Sequence, residues 1–151
     1  MDNYMKLEIA AISANESFAR SAVAAFALPL NPSIEGLSDI KTAVSEAVTN
    51  CIVHAYRGTD LPKEAQKIVI EAKTFCRDGK GVLHIEISDF GKGILDVQQA
   101  ISPFYTTLED EERSGMGFTV MQTFMTEMRV ESTPGTGTRV TLIKIVEKDG
   151  E

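Results

Sequence analysis

Tryptophan is absent from this sequence, and cysteine, histidine and proline are scarce, with two, two and five residues in a chain of 151. Cys51 and Cys76 stand far apart and form neither a Cys-x-x-Cys pair nor a Cys/His spacing. That argues against a zinc site or a disulfide scaffold and leaves reduced core thiols as the expectation. Long apolar runs are missing too: none approaches the roughly 20 residues that span a bilayer. The opening MDNYMKLEIAA lacks the basic-then-apolar order of a signal peptide, so a cytoplasmic location is expected. Positive charge is in deficit, with 15 Lys and Arg against 22 Asp and Glu and a net charge of -7. Such a chain repels a phosphate backbone, and no basic cluster offsets the repulsion, so neither nucleic acid nor an anionic membrane is expected as a direct partner.

What is present is an ordinary globular composition, 43% hydrophobic and 25% charged, which implies a packed core. One domain of this size buries about 70% of its unfolded surface and needs no metal or disulfide staple. Tyr4 to Ile12 alternates as a strand. Asn15 is placed to cap a helix whose apolar face runs through Phe18, Ala22, Ala25 and Phe26 and which Pro29 and Pro32 end. Leu37, Ile40, Val44, Val48, Cys51 and Ala55 recur at three- and four-residue spacings, predicting a long helix from Ile34 to about Tyr56. Residues 57–66, with Gly58, Asp60 and Pro62, read as a loop. KIVIEAKTF and GVLHIEISD read as strands joined across Arg77-Asp78-Gly79-Lys80 in an antiparallel hairpin.

Between Phe90 and Gly117 only a short helix near Val97 to Ile101 is expected. Phe118 to Met128 reads as a helix, and MRVES and TRVTLIKIV as strands joined by the turn at 133–137. The order β-α-α-β-β-loop-α-β-β predicts an α+β fold: a two-layer sandwich with helices on one face of a mixed, mostly antiparallel sheet. Loops longer than about 15 residues are uncommon in compact domains unless they are functional. Residues 96–115 are therefore expected to form a flexible lid on a single domain spanning 1–151.

Three segments carry residues suited to chemistry. Glu46 and Asn50, four apart on the long helix, project from neighbouring turns as two oxygen donors, a pattern that equally describes the solvated back of an amphipathic helix. Asp89-Phe90-Gly91-Lys92-Gly93 follows directly on a strand. Its glycines let backbone approach a flat ligand, and its carboxylate can accept from the exocyclic amine of adenine; an ordinary strand-end turn has the same composition. Arg113-Ser114-Gly115-Met116-Gly117-Phe118 runs into an apolar helix, and N–H groups at a helix start suit a phosphate, as plain loop flexibility would also explain the glycines.

In this order the segments resemble the GHKL ATPases, the group of gyrase, Hsp90-type chaperones, histidine kinases and MutL, over almost the whole chain. Glu46 and Asn50 match the family's N box, Asp89, Gly91 and Gly93 its first glycine box, and Gly115 and Gly117 its second. The resemblance implies ATP and Mg²⁺ as cofactors, with Asn50 holding the metal, Glu46 the general base, Asp89 binding the adenine amine and residues 113–118, Met116 and Phe118 included, covering the phosphates. Thr138 falls where the family places a threonine near the adenine-binding carboxylate. Thr106 and Thr107 resemble the lid segment, and Arg113 is placed to neutralise phosphate charge or to be solvated. His54, one turn beyond Asn50, reads as a pocket-wall or packed residue.

With no phosphoacceptor hairpin or transducer domain, the chain resembles the free-standing anti-sigma serine kinases. Asn15 to Arg20, Val44 to Asn50, Pro103 to Thr107 and Glu112 to Phe118 bring it nearer to the sporulation branch than to the stress-response branch. That similarity implies two protein partners: a sigma factor of the sigma-F type, which it inhibits, and an anti-anti-sigma protein, whose serine it phosphorylates. It also implies a homodimer. Arg20, four residues after Glu16 on the first helix, is a partner-contact candidate as well as half of an exposed ion pair. A nucleotide-gated binding module without kinase activity is the alternative.

Overall fold

Apolar residues alternating in the strands and spaced by three and four in the helices sort the chain into two layers. The computed structural model describes residues 2–102 and 116–146. The elements are β1 (Asn3–Ala10), α1 (Ala14–Ala27), α2 (Ile34–Asn50), β2 (Lys67–Arg77), β3 (Lys80–Asp89), α3 (Val97–Ala100), α4 (Met116–Phe124), β4 (Glu127–Thr133) and β5 (Gly137–Val146). Single 3-10 turns lie at Leu28–Leu30 and Lys63–Ala65, and α2 runs on into a π-helical turn, Cys51–Ala55. The long helix expected from Ile34 is therefore present, with its last five residues widened.

The sheet order is β1-β2-β3-β5-β4. All four pairings among the described strands are antiparallel, so no parallel pair makes the sheet mixed. The β2–β3 hairpin turns through Asp78 and Gly79, both with positive φ (54° and 77°), as a two-residue turn matched to strand twist requires. Because β5 inserts between β3 and β4, β3 is the central strand. Its last residue, Asp89, lies opposite Ile68 on one side and Thr138 on the other.

One face of the sheet, carrying Ile68, Ile70, Leu83, Ile85, Ile87, Val140 and Leu142, packs with Val23 of α1, Ile40, Val44 and Val48 of α2 and Met121 of α4 into a single buried cluster. Each such side chain contributes about 1.5–3 kcal/mol by leaving water. Ser33 caps α2, its hydroxyl accepting from Gly36 N at 3.0 Å, with Glu35 in the positive first turn. Lys144 of β5 ties the end of α4 and the N-terminal half of α2 to the sheet. Its ammonium donates to Phe124 O, the end of α4, at 2.6 Å, and to Asp39 of α2 at 3.4 Å.

Several local expectations are corrected. The face that α1 buries is Ala19, Val23, Ala24 and Ala27, while Phe18 is 52% exposed and Ala25 also faces outward. Close packing of α1 on α2 selects the small side chains, and the large ring of Phe18 is turned away. Asn15 does not cap this helix: Ser13 holds the cap position without a side-chain bond, and Asn15 Nδ2 donates back to Ala10 O at 2.9 Å. Cys51 is buried as expected but Cys76, near the β2–β3 turn, is exposed. The helix expected to reach Met128 stops at Phe124, because residues from Glu127 onward pair with β5 and satisfy their backbone there. Of the expected lid, 96–102 includes α3, capped by Asp96 accepting from Gln99 N at 3.0 Å; 103–115 lies outside the described residues.

The turn after β3 is locked under the π turn. Lys92 N donates to Ala55 O at 2.8 Å, and a Cβ on Gly91 would stand 2.0 Å from that same oxygen. Gly91→Ala is therefore expected to destabilise the fold by about 2 kcal/mol or more, as overpacking against immobile backbone does. Gly58→Ala, whose Cβ meets nothing within 4 Å despite a φ of +78°, should cost only about 1 kcal/mol. Urea denaturation of the two variants checks this, and equal midpoints would contradict it.

Candidate functional site

The last turns of α2 are covered on two sides. Toward the sheet they carry Ala47, Val48 and Cys51, all buried; on the adjoining side they carry Glu46 and Asn50, both half-buried. What lies against that second side is the start of α4. A Cβ on Gly117 would come within 3.3 Å of Glu46 Oε2, 3.5 Å of Asn50 Oδ1 and 3.6 Å of Asn50 Nδ2. Glu46 and Asn50 thus face a helix N-terminus rather than bulk solvent, and the missing side chain of Gly117 lets that positive end approach their side chains closely.

Asp89 closes the central strand at 8% exposure. Its Oδ1 accepts from Gly91 N at 3.0 Å and Thr138 N at 3.3 Å, and its Oδ2 accepts from the thiol of Cys51 at 3.6 Å. Burial pushes the Asp89 carboxyl above its ordinary range, and these three donors oppose the rise by stabilising the anion. The Cys51 thiol is pushed well above its usual range, first by burial and then by the facing carboxylate, so it is a protonated donor.

The turn beyond Asp89 is held from several sides. Tyr56 Oη accepts from Phe90 N at 3.0 Å and Lys67 N at 3.2 Å and donates to Lys67 O, tying the end of the π turn to the edges of β2 and β3. Gly93 has a φ of +77° and leaves no room for a side chain beside Thr133 O. Ile94 N donates to Ser132 Oγ at 2.8 Å. Ser132 Oγ donates in turn to Gly137 O at 3.0 Å and lies 2.8 Å from Thr138 Oγ1. Thr138 therefore reaches Asp89 through its backbone N–H, its hydroxyl being engaged with Ser132.

The structure thus brings Glu46, Asn50, Asp89, Gly91, Gly93, Gly117 and Thr138 to one end of α2. Phe118 packs against the core cluster from α4, whose first residue is Met116. Thr106, Thr107, Arg113, Ser114 and Gly115 lie outside the described residues. Arg20 sits on the α1–α2 seam, its Nη1 3.5 Å from both Glu16 Oε1 and Ser45 Oγ, one residue along from Glu46. His54 lies half-buried in the π turn. Among the described residues no group of three His, Cys, Asp or Glu gathers as a metal cluster.

Sequence reasoning missed Cys51, Tyr56 and Ser132. A cysteine in an apolar helical stripe reads as core, and nothing in the sequence links it to a carboxylate 38 residues away. Tyr56 closes a helix and Ser132 lies in a strand, positions with no motif of their own.

The family model described as histidine kinase-like ATPase domain matches residues 9–144. An anti-sigma F factor of Caldanaerobacter subterraneus subsp. tengcongensis is 53% identical over 148 residues, covering 98% of this chain and 97% of its own length. Those of Clostridium novyi (51% over 142 residues, 94% of each chain) and Anoxybacillus flavithermus (45% over 148, 98% and 96%) are similar as well. The solved RsbU and RsbW domains of Rv1364c from Mycobacterium tuberculosis align with a TM-score of 0.65 at 17% identity, over 95% of this chain and 32% of that one, a likeness of fold alone. With its fold, its motif order and these near-full-length relatives in agreement, the chain belongs to the histidine kinase-like ATPase family and, within it, to the anti-sigma F factors.

Proposed function

We propose that this chain is an ATP-dependent anti-sigma factor that binds and inhibits a sigma factor of the sigma-F type and phosphorylates a serine of the anti-anti-sigma protein that antagonises it. The observation that carries this reading is the gathering of Glu46, Asn50 and Gly117 on one side of the end of α2 and of Asp89 on the other. Asp89, acceptor-only when ionised, suits the exocyclic amine of adenine. Gly91 and Gly93 let the turn beside it pack directly against Ala55 O and Thr133 O, which holds Asp89 in place. The N-terminus of α4 suits the phosphates, with Thr106, Thr107, Ser114 and Gly115 as further contacts and Arg113 to neutralise charge.

The Glu46 carboxylate and Asn50 amide oxygen are hard donors one turn apart on the same side of α2, a pair whose chemistry fits Mg²⁺, which takes few protein ligands and completes its shell with water and phosphate. Asn50 would hold it, and when bound it would neutralise charge on the phosphate oxygens. The chain's own residues then divide the labour. Asp89 and the glycines orient the nucleotide. Glu46 takes the proton of the acceptor serine as the serine oxygen bonds to the γ-phosphorus and the bond to the bridging oxygen of ADP breaks. The net charge of -7 steers the chain toward basic surfaces such as those with which a sigma factor meets DNA. Arg20 belongs to that partner surface, a homodimer is the working assembly, and the cytoplasm is the compartment; no described helix is long and apolar enough to cross a membrane.

Asp89→Asn should weaken ADP and ATP binding at least about tenfold in calorimetry, as loss of a charge-assisted bond does; unchanged affinity would remove Asp89 from the base site. Glu46→Gln should leave ADP affinity within about threefold while slowing phosphate transfer to the anti-anti-sigma protein by about 10²-fold or more. Transfer at the wild-type rate would exclude Glu46 as the base, and intact control of the sigma factor without any transfer in either protein would point to a nucleotide-gated binding module.

The raised carboxyl of Asp89 sets a pH dependence. The folded protein holds this proton more tightly than the unfolded chain does, so the group's contribution to stability falls as pH rises from the ordinary carboxylate range through the raised value. Binding of the amine runs the other way, because it needs the anion. The preference for ADP over purine riboside diphosphate, a ratio that cancels the titration of the phosphates, should decline on acidification at a pH above the ordinary aspartate value of about 3.9. A ratio constant down to that value would contradict the assignment.

A further inference from the structure

Asp89 has about four lone-pair sites on its two carboxylate oxygens. Gly91 N and Thr138 N occupy Oδ1, and the Cys51 thiol occupies one site on Oδ2. Acceptor capacity for a ligand is therefore concentrated on the remaining site of Oδ2, and the donor that decides which one remains is Cys51. We propose that Cys51 is a specificity-determining positioning residue of the nucleotide site, its thiol aiming the unoccupied lone pair of Asp89 Oδ2 at the exocyclic amine of the base.

Both partners are fixed in place. Cys51 is 4% exposed and opens the π turn that extends α2. Asp89 is joined to the far end of that turn through the Lys92 N–Ala55 O bond and the close approach of Gly91 to Ala55. The sulfur and the carboxylate cannot drift apart without breaking this staple, so the 3.6 Å contact is a consequence of how the two segments dock. The thiol is also the only side-chain donor that reaches Asp89 among the described residues, the other two donors being backbone and therefore present whatever residues stand there. Water cannot readily replace it, since Asp89 is itself nearly enclosed. Replacing Cys51 by an apolar residue would leave Oδ1 on its two backbone donors but remove the one donor that sets the tilt and lone-pair direction of Oδ2, and the amine would meet a carboxylate held from one side only.

This inference rests on the reading of Asp89 as the base-binding carboxylate, and the test separates the two. Calorimetry on the full chain compares ADP with purine riboside diphosphate, which lacks the exocyclic amine, for the wild type and for Asp89→Asn, Cys51→Ala, Cys51→Val and Cys51→Ser. The wild type should prefer ADP. Cys51→Ala should narrow that preference about fivefold while leaving purine riboside diphosphate affinity unchanged, and Cys51→Ser, which retains a donor, should restore most of it. Cys51→Val fills the volume without a donor and should behave as Cys51→Ala, which keeps the comparison available if the alanine variant does not fold. A wild-type preference in both apolar variants, or equal weakening of the two ligands, would overturn the role of Cys51. If Asp89→Asn collapses the preference while the Cys51 variants retain it, only Cys51 is reassigned. If the wild type shows no preference, or Asp89→Asn keeps it, the base-binding reading fails and this inference with it.

Discussion

A carboxylate placed at the buried end of a central strand costs several kcal/mol in a packed interior unless donors surround it. At Asp89 they arrive from three directions: Gly91 N from the turn it begins, Thr138 N from the neighbouring strand and the Cys51 thiol from the helix layer above. Each donor places a demand on its own segment. The turn must double back tightly enough to aim Gly91, β5 must lie directly beside β3, and α2 must continue far enough over the sheet to bring Cys51 into reach. The sheet order, the continuation of α2 as a π turn and the glycines after β3 are all compatible with that one requirement.

The π turn matters for the same reason. Widening the helix at Cys51–Ala55 leaves Ala55 O available to Lys92 N, and the backbone at Gly91 slides beneath it where a methyl group would not fit. Such turns are frequent at functional positions because they re-aim backbone groups without ending the helix. Tyr56 then extends the junction by serving the backbone of both β2 and the residue after Asp89. A helix end, a strand end and a turn are thereby made into one rigid body, which is what a site requires if its geometry is to be set before a ligand arrives.

Helix α2 works in three directions. Its apolar stripe meets the sheet, small residues of α1 allow a close approach on one flank, and Gly117 of α4 allows another beside Glu46 and Asn50. The family model covers residues 9–144, α2 included, and the similar anti-sigma F factors span almost all of the chain's length. Cys51, which meets Asp89 of β3, and the pair Glu46 and Asn50 lie on different sides of α2, so in the proposed site one helix would set the distance between the base end and the phosphate end of a nucleotide.

Local patterns determined most of the elements. The alternation in KIVIEAKTF and GVLHIEISD, the Asp-Gly turn between them and the three- and four-residue spacing of α2 are each decided within a few residues, and the elements form where those patterns lie. The motif order was legible as well, because glycines and carboxylates next to element ends are visible without contacts. What a pattern could not supply was choice among faces and partners. Phe18 looks like core until the tight seam between α1 and α2 favours alanine. Asn15 looks like a cap until the chain before it offers Ala10 O. Cys51 looks like packing until β3 brings Asp89 beneath it. Those outcomes depend on residues tens of positions apart, and only the folded chain brings them within reach: by itself the sequence determined the elements and the set of chemical groups, and the tertiary structure decided which of those groups meet.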